Sequence, residues 1–358
     1  NSSINMQHVF HIHSYINYIT ALGIIESKKI KQEEVLFILC RGINLKEDKF
    51  KSLRIPNYIY YFPFFTLKKL KTLDFLKTDR IINDFYELTK SALNDNRFIF
   101  YCPNSMNYFF RLFLSHEKCV GVEYLEDGMD MYLSEELYYT KYPFNIPLLQ
   151  KLAFSILKLF FSQSNLIKPL DDPFRSVGCH KAILNGISNK SFKNISFGKP
   201  IKIVSVKKPE SYYDNSIIKG YNHFLLLDAV VEQNIIPRNY FQDFINYFTN
   251  SISEKKIAIK FHPFQDQITK KFVIRTFQDQ DIEITIIPKD VPFELILFSE
   301  DNLKISGIGS SLLNYASFKR SHKIYAFYTY FEKEKKFISS RTEQWRESIG
   351  NNINIIKY

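Results

Sequence analysis

The sequence predicts an α/β protein built from two consecutive Rossmann-like halves. Three observations carry this. Short β-branched or aromatic runs alternate with longer helical stretches along the chain, the pattern of βαβ units and parallel sheets. The 358 residues exceed what one hydrophobic core ordinarily serves. A stretch at residues 180–208 holds seven lysines and no acid, with Gly186, Gly198 and Pro200 as breakers, and divides the series in two like an interdomain connection. The composition, 45% hydrophobic with 34 Phe and 23 Tyr, excludes a disordered or fibrous chain.

In order, residues 8–13 read as a strand and 15–25 as a helix. Residues 34–40 are a strand ending in Arg41-Gly42, and 58–62 another, ending in Pro63. Residues 97–101 form a strand before Cys102-Pro103, 106–114 a helix, and 120–125 a strand that runs into Glu126-Asp127-Gly128. The second series reads as strands at 202–206, 224–231, 256–261, 282–287, 303–306 and 323–327, with helices such as 240–248 and 311–319 between them. Residues 147–162 show a wide apolar face edged by Lys151 and Lys158, which suits a helix docked on the first core better than one lying on a membrane surface.

Lys and Arg total 48 against 37 Asp and Glu, a net charge of +11. That surplus favours a polyanionic partner or an anionic surface without choosing between them. Cys40, Cys102, Cys119 and Cys179 form no CxxC pair and have no His at zinc spacing, so reduced thiols in the cytosol are expected. No apolar run reaches the ~18 residues of a spanning helix. The N-terminus shows no basic segment followed by an apolar one.

Open α/β sheets bind ligands beyond the carboxyl ends of their strands, so residues at strand ends come first. Glu126-Asp127-Gly128 places two acids beside a glycine. A like-charged neighbour can raise a carboxyl pKa toward that of a general base, although an acidic turn gives the same pattern. His262-Pro263 follows a strand, and the proline biases His262 to an extended conformation that aims its ring past the sheet edge. There it could neutralise a phosphate or protonate a leaving group; a structural histidine is equally compatible. Gly307, Gly309, Ser310 and Ser311 close a strand and open a helix, a place for an anion or for a plain N-cap at Ser310. Glu294 starts a helix after Pro292, where it could accept from ribose hydroxyls or simply complement the dipole. Asp279-Gln280-Asp281 has a metal-binding form but reads as a solvated turn, and His8, His11 and His13, taken to share one strand face, make a weak metal site.

Together the order is distinctive: acid-acid-glycine in the first half, then His-Pro, then a serine pair. It resembles the bacterial sialyltransferases, whose shared short motifs are Asp/Glu-Asp/Glu-Gly, His-Pro and a serine pair, here Glu126-Asp127-Gly128, His262-Pro263 and Ser310-Ser311. Spacing and chain length look most like the capsular polysialyltransferases. The resemblance implies a GT-B fold, two Rossmann-like domains facing a central cleft. Residues 1–190 would bind the acceptor and 191–330 CMP-sialic acid, with 331–358 a helical segment expected to pack back on the first domain. Either acid of the motif could be the base; Glu126, at its first position, is assigned that role, with Asp127 a structural partner or reserve. His262 would contact the CMP phosphate and stabilise or protonate the departing nucleotide. Ser310 and Ser311, with Gly309, would bind the same phosphate, and Glu294 the ribose. Arg41, at the end of a strand, is placed to meet an acidic sugar, although no shared motif supports it.

The implied activity is inverting transfer of sialic acid from CMP-sialic acid to an oligo- or polysialic acid acceptor. No cofactor and no metal are expected, because CMP carries one phosphate that His and Ser can hold. The expected partners are an acidic polysaccharide or glycolipid acceptor, with peripheral contact to the cytoplasmic face of a bacterial inner membrane or a capsule export complex. Capping of a galactose-terminated lipooligosaccharide is the alternative under the same fold. A noncatalytic glycan-binding protein and a basic nucleic-acid-binding protein are more distant, since no RNA- or DNA-binding module is recognisable.

Overall fold

Two sheets, each wholly parallel, organise the chain. The structure is a computed structural model that describes residues 6–45, 49–61, 75–94, 96–136, 138, 172–193, 195, 198–332 and 353–356. It divides into two units, Asn1–Lys207 and Lys208–Tyr358. The first unit holds strands β1 (Gln7–Ile12), β2 (Val35–Leu39), β3 (Lys51–Arg54), β4 (Phe98–Cys102), β5 (Cys119–Leu125), β6 (Leu184–Gly186) and β7 (Ile201–Ile203), in the order β3-β2-β1-β4-β5-β6-β7. Its described helices include α1 (Tyr15–Lys28), α2 (Asn57–Tyr60), α3 (Phe75–Leu93) and α4 (Tyr108–Leu114). The second unit holds β8 (His223–Leu227), β9 (Lys256–Phe261), β10 (Glu283–Ile286), β11 (Lys304–Gly307), β12 (Lys323–Ala326) and β13 (Asn354–Ile355), in the order β10-β9-β8-β11-β12-β13. Helices α5 (Arg238–Ser251), α6 (Gln267–Asp279), α7 (Phe293–Ser299) and α8 (Ser311–Ala316) connect them.

In both sheets the strand order reverses beside the first strand, between β1 and β4 and between β8 and β11. Such a reversal opens a crevice above the carboxyl edge, because the flanking connections leave in opposite directions. The aromatic surplus fills the layers between sheet and helices. Phe10 stacks on Tyr101 at 4.1 Å, and Phe100 on Phe113 at 4.5 Å. In the second unit Phe244, Phe248, Phe327 and Phe331 cluster under the sheet. Helix α1 starts at Ser14, whose hydroxyl accepts from the Asn17 N–H at 3.4 Å, and it is buried from Ile16 to Ile25. Its axial position is therefore fixed by burial on nearly all sides rather than by an amphipathic stripe.

Several elements differ from the sequence expectation. Of the strand expected at 58–62, residues 58–61 are described and are not a strand: α2 buries Ile59 and Tyr60 while Tyr58 and Tyr61 are exposed, so packing overrides the β propensity of the tyrosines. The strand that does sit there is Lys51–Arg54, a mostly exposed edge with no apolar run to announce it. Strand β7 does not open the second series, since Ile201–Ile203 pairs with Leu184–Gly186 and closes the first sheet. The lysine-rich stretch at 180–208 thus contributes two strands. At the C-terminus, Asn354–Ile355 is not helical but lies parallel to β12. The amphipathic segment at 147–162, and residues 333–352, lie outside the described residues. No described helix is long and apolar enough to cross a membrane.

The histidines of β1 do not share one face. His8, three residues before His11, bonds Tyr101 Oη at 2.8 Å, while His11 and His13 face each other with ring centroids 4.9 Å apart. A separation of three in a strand puts residues on opposite faces.

A second buried histidine tests the pH response of the fold. His223 Nε2 meets Ser306 Oγ at 2.9 Å, and its Nδ1 faces Glu254 Oε2 at 3.5 Å. Burial lowers its pKa to about 4, against the pull of Glu254 and with the help of Lys304. Between about 4 and the unfolded value near ~6.5, the folded chain leaves this ring neutral while the unfolded chain protonates it. Stability is therefore lost as pH falls through that window, by up to about 3 kcal/mol from this group. Urea unfolding at pH 6.5 and pH 4.5 should show a smaller drop for His223→Gln than for the wild type; equal drops would contradict the assignment.

Candidate active site

At the end of β5 the two adjacent acids have different surroundings. Glu126 is buried completely. Its Oε1 accepts from the Tyr132 hydroxyl, and its Oε2 from Ser191 Oγ at 2.6 Å and the Ile187 N–H at 2.9 Å. Tyr132 Oη and Ser191 Oγ are themselves 3.2 Å apart, and the Ser188 N–H donates to Ser191 Oγ at 3.1 Å. Gly186 permits this convergence: a Cβ there would stand 2.3 Å from the Ser191 Cβ. The carboxylate therefore ties the end of β5 to the turn after β6 and to the 3-10 turn Gly128–Tyr132. Both oxygens accept from interior donors, and complete burial keeps the carboxylate from a substrate.

Asp127 is the acid that reaches the surface, its side chain 23% exposed. Its Oδ1 accepts from His13 Nε2 at 2.9 Å and from the Asn17 amide at 3.4 Å. Asn17 also donates to the Glu126 carbonyl at 2.7 Å, so one buried amide of α1 sets both residues. Burial pushes the Asp127 carboxyl up, but His13, Arg41 and Asn17 outweigh it and hold it below the ordinary range. Gly128 follows with φ 76°, a left-handed turn that lets the chain leave without covering Asp127.

Arg41 belongs to the same neighbourhood. It follows β2 with φ 55°, just before Gly42 at φ 69°, and its guanidinium lies 5.6 Å over the Tyr60 ring. A left-handed arginine is strained, and such residues concentrate at ligand sites. Asp127, His13 and Arg41 thus come together from β5, β1 and β2, at the carboxyl edge beside the switch point.

In the second unit the expected residues share the carboxyl edge of one sheet. His262 ends β9; its N–H donates to the Leu227 carbonyl at 3.0 Å and to Gln265 Oε1 at 2.9 Å. Its Nδ1 accepts from the Phe264 N–H at 3.2 Å, so in the neutral ring the proton sits on Nε2, the nitrogen directed away from the backbone. Pro263 and Phe264 are exposed beyond it. At the switch point between β8 and β11, the Gly309 N–H donates to Asp228 Oδ2 at 3.3 Å, so the donor expected to hold phosphate is engaged by a carboxylate. Ser310 is the N-cap of α8, its Oγ accepting from the Leu312 N–H at 3.4 Å; the hydroxyl keeps its own proton to donate. Ser311 begins that helix, half-buried. Glu294 lies in the first turn of α7, where burial pushes its carboxyl up and Lys260 pulls it back.

Lys260, two residues before His262 on the same strand face, has no counterpart in the sequence reading. Its Nζ donates to the carbonyls of Pro288 at 2.6 Å and Val291 at 2.8 Å, fixing the turn that delivers Glu294. Burial brings its pKa down to about 8, opposed by Glu294 and Asp290. His13, Asn17 and Asp228 were also missed. His13 and Asp228 fall inside the strands read at 8–13 and 224–231 and stand past a strand end only in the structure, where β1 ends at Ile12 and β8 at Leu227; Asn17 and Lys260 carry no local signal.

No protein-family model matches the sequence, and no curated protein does. Solved structures do resemble the fold. The 2,6-sialyltransferase of Photobacterium sp. JT-ISH-224, solved with CMP and lactose, aligns with a TM-score of 0.58 at 13% identity over 98% of this chain and 78% of that one. A sialyltransferase from Photobacterium damsela aligns at 0.52 and 11% identity over 99% of this chain and 81% of that one. A putative UDP-N-acetylglucosamine 2-epimerase from Listeria monocytogenes aligns at 0.50 and 11% identity over 99% and 93%. The chain has a GT-B type fold: two parallel-sheet α/β units, each of Rossmann order.

The two acids predict different mutational outcomes. Glu126→Ala strands the Tyr132, Ser191 and Ile187 donors in the interior and should lower stability by about 3 kcal/mol. Asp127→Asn keeps an acceptor for His13 and should change it by less than about 1 kcal/mol. Urea unfolding of both variants checks this, and equal effects would contradict the assignment.

Proposed function

We propose that the protein is an inverting sialyltransferase that moves sialic acid from CMP-sialic acid to the end of an oligo- or polysialic acid chain. The observation that carries the reading is the motif order met by the geometry: an accessible carboxylate at the end of β5 in the first unit, and a histidine Nε2–H and serine hydroxyls at the carboxyl edge of the second. The likeness in fold to two sialyltransferases supports it.

Asp127, rather than Glu126, acts as the base in this reading. Its Oδ2 takes the proton of the acceptor hydroxyl as that oxygen attacks the anomeric carbon. The bond from that carbon to the phosphate oxygen breaks, and the electron pair leaves with CMP. Sialic acid leaves from a tertiary centre bearing a carboxylate, so the transition state has oxocarbenium character and charge develops on the phosphate. His262 Nε2–H and the hydroxyls of Ser310 and Ser311 stabilise that charge. Glu294 takes the ribose hydroxyls, on a turn held by Lys260. Gly309 gives its N–H to Asp228 and supplies only close backbone approach. Glu126, Gly128 and Pro263 shape the backbone. Arg41 meets an acceptor carboxylate, and the net charge of +11 suits a polymer with one carboxylate per sugar. This chemistry calls for no metal, and a protein making such a polymer would work at the cytoplasmic face of the membrane.

The lactose in one of the similar structures favours a second reading, transfer to a galactose-terminated acceptor. Incubation with CMP-sialic acid and either oligosialic acid or lactose separates the two. Elongation of oligosialic acid is expected, and transfer to lactose alone would replace the first reading by the second. Asp127→Asn should lower kcat by about 10³-fold, the range of a lost general base. His262→Ala should lower it by at least about 10²-fold. Full activity in Asp127→Asn would remove it from the mechanism.

A further inference from the structure

Behind Asp127 lies a second histidine that the transfer chemistry does not use. His13 Nε2 is 2.9 Å from Asp127 Oδ1, and His13 Nδ1 is 3.4 Å from His11 Nδ1. His11 is wholly buried. Its ring stacks on Tyr60 at 5.7 Å and meets Phe110 edge-on at 4.6 Å, and its Nε2 has no hydrogen-bond partner. The order is therefore carboxylate, imidazole, imidazole, closed by an apolar wall.

Hydrogen positions follow from this geometry. His13 Nε2 must carry a proton, because it faces a carboxylate oxygen at hydrogen-bond distance. Between the two Nδ1 atoms there is room for one proton only. If it belongs to His13, that ring is an imidazolium, and neutral His11 must carry its own proton on Nε2, a donor buried among rings with nothing to receive it. If it belongs to His11, His13 is neutral and His11 leaves only a bare lone pair in the wall. An orphaned buried N–H is the rarer and less tolerated state. Arg41, beside Asp127, also disfavours a second cation here, and burial, with Arg41 adding to it, holds His11 well below the usual histidine range. The other titratable groups facing this cluster, Tyr60 from α2 and Cys40 at the end of β2, are both pushed upward by burial and stay neutral. Only Asp127 favours the imidazolium, and Arg41 already answers its charge.

We propose that His11 is a positioning residue that locks His13 as a neutral Nε2–H donor to Asp127. The base then has Oδ1 fixed and Oδ2 open to the acceptor hydroxyl. It also escapes a full imidazolium–carboxylate pair, which would hold the carboxylate more tightly and blunt its ability to take a proton. The inference rests on the reading of Asp127 as the acceptor-side base.

The test is histidine-selective ¹⁵N NMR of the full chain, which reads each ring nitrogen without substrate. At pH 7, His13 should show a bare Nδ1 and a protonated Nε2, and His11 the reverse. In His11→Phe, which keeps a ring against Tyr60 and Phe110 but removes the donor to His13 Nδ1, His13 should be doubly protonated at pH 5.5 where the wild type is not. The kcat of that variant should drop about tenfold between pH 7.5 and pH 5.5, relative to a wild-type profile without that limb. A doubly protonated His13 in the wild type at pH 7, or the same His13 titration in both proteins, would overturn the proposal. Circular dichroism checks that His11→Phe is folded; if it is not, the wild-type spectrum alone decides. Absence of transfer from CMP-sialic acid, with the predicted spectra intact, would sink the functional reading and leave the tautomer lock standing.

Discussion

The first unit's site depends on one buried carboxylate. Glu126 receives donors from the 3-10 turn after β5, from the turn after β6 and from Ser191, and so closes the chain around the carboxyl edge of the sheet. Charge buried in this way is tolerable only when it is hydrogen-bonded, and here two hydroxyls and a backbone N–H donate to it. The consequence lies one residue further on. Successive side chains at a strand end point to opposite sides, so fixing Glu126 inward turns Asp127 outward, against His13. An acid pair that looks redundant in the sequence thus divides, with one carboxylate held in the interior and the other 23% exposed.

The second unit builds its edge differently. There Lys260 ties the edge together by donating to two carbonyls of the turn before α7. His262 is oriented through its backbone and through the Phe264 N–H on its Nδ1, which leaves Nε2–H to face outward. The tie between Asp228 and Gly309 spans the switch point, where the two central strands part. Ser310 caps α8 beside that tie, its hydroxyl proton still available to donate.

Much of this was legible in the sequence, and the failures have physical causes. The fold class followed from alternation, and Lys256–Phe261 was bounded correctly because a buried β-branched run sits between polar turns. Edge strands β3 and β7 were lost or assigned to the wrong sheet because exposed residues leave no periodic trace. The strand ends singled out Glu126-Asp127-Gly128, His262 and the Ser310-Ser311 pair, and the family resemblance, by the motif's first position, gave the base role to Glu126. Nothing in a dipeptide of acids tells which one faces inward; that depends on Tyr132, Ser191 and Gly186, up to 65 residues away. The histidines near β1 were weighed as metal ligands and set aside, whereas in the structure His13 pairs with Asp127 and His11 stands behind it. Their partner comes from β5, and pairing between strands so distant in sequence is invisible in a single chain.

The central claim is that Asp127 takes the proton of the acceptor hydroxyl and that His262 stabilises the departing phosphate. A crystal structure with a non-transferable CMP-sialic acid analogue and a short oligosialic acid would test it most directly. The account predicts the terminal acceptor hydroxyl within about 3 Å of an Asp127 oxygen, and a phosphate oxygen at the same distance from His262 Nε2. An acceptor hydroxyl bonded to another base, with Asp127 remote from it, would contradict it.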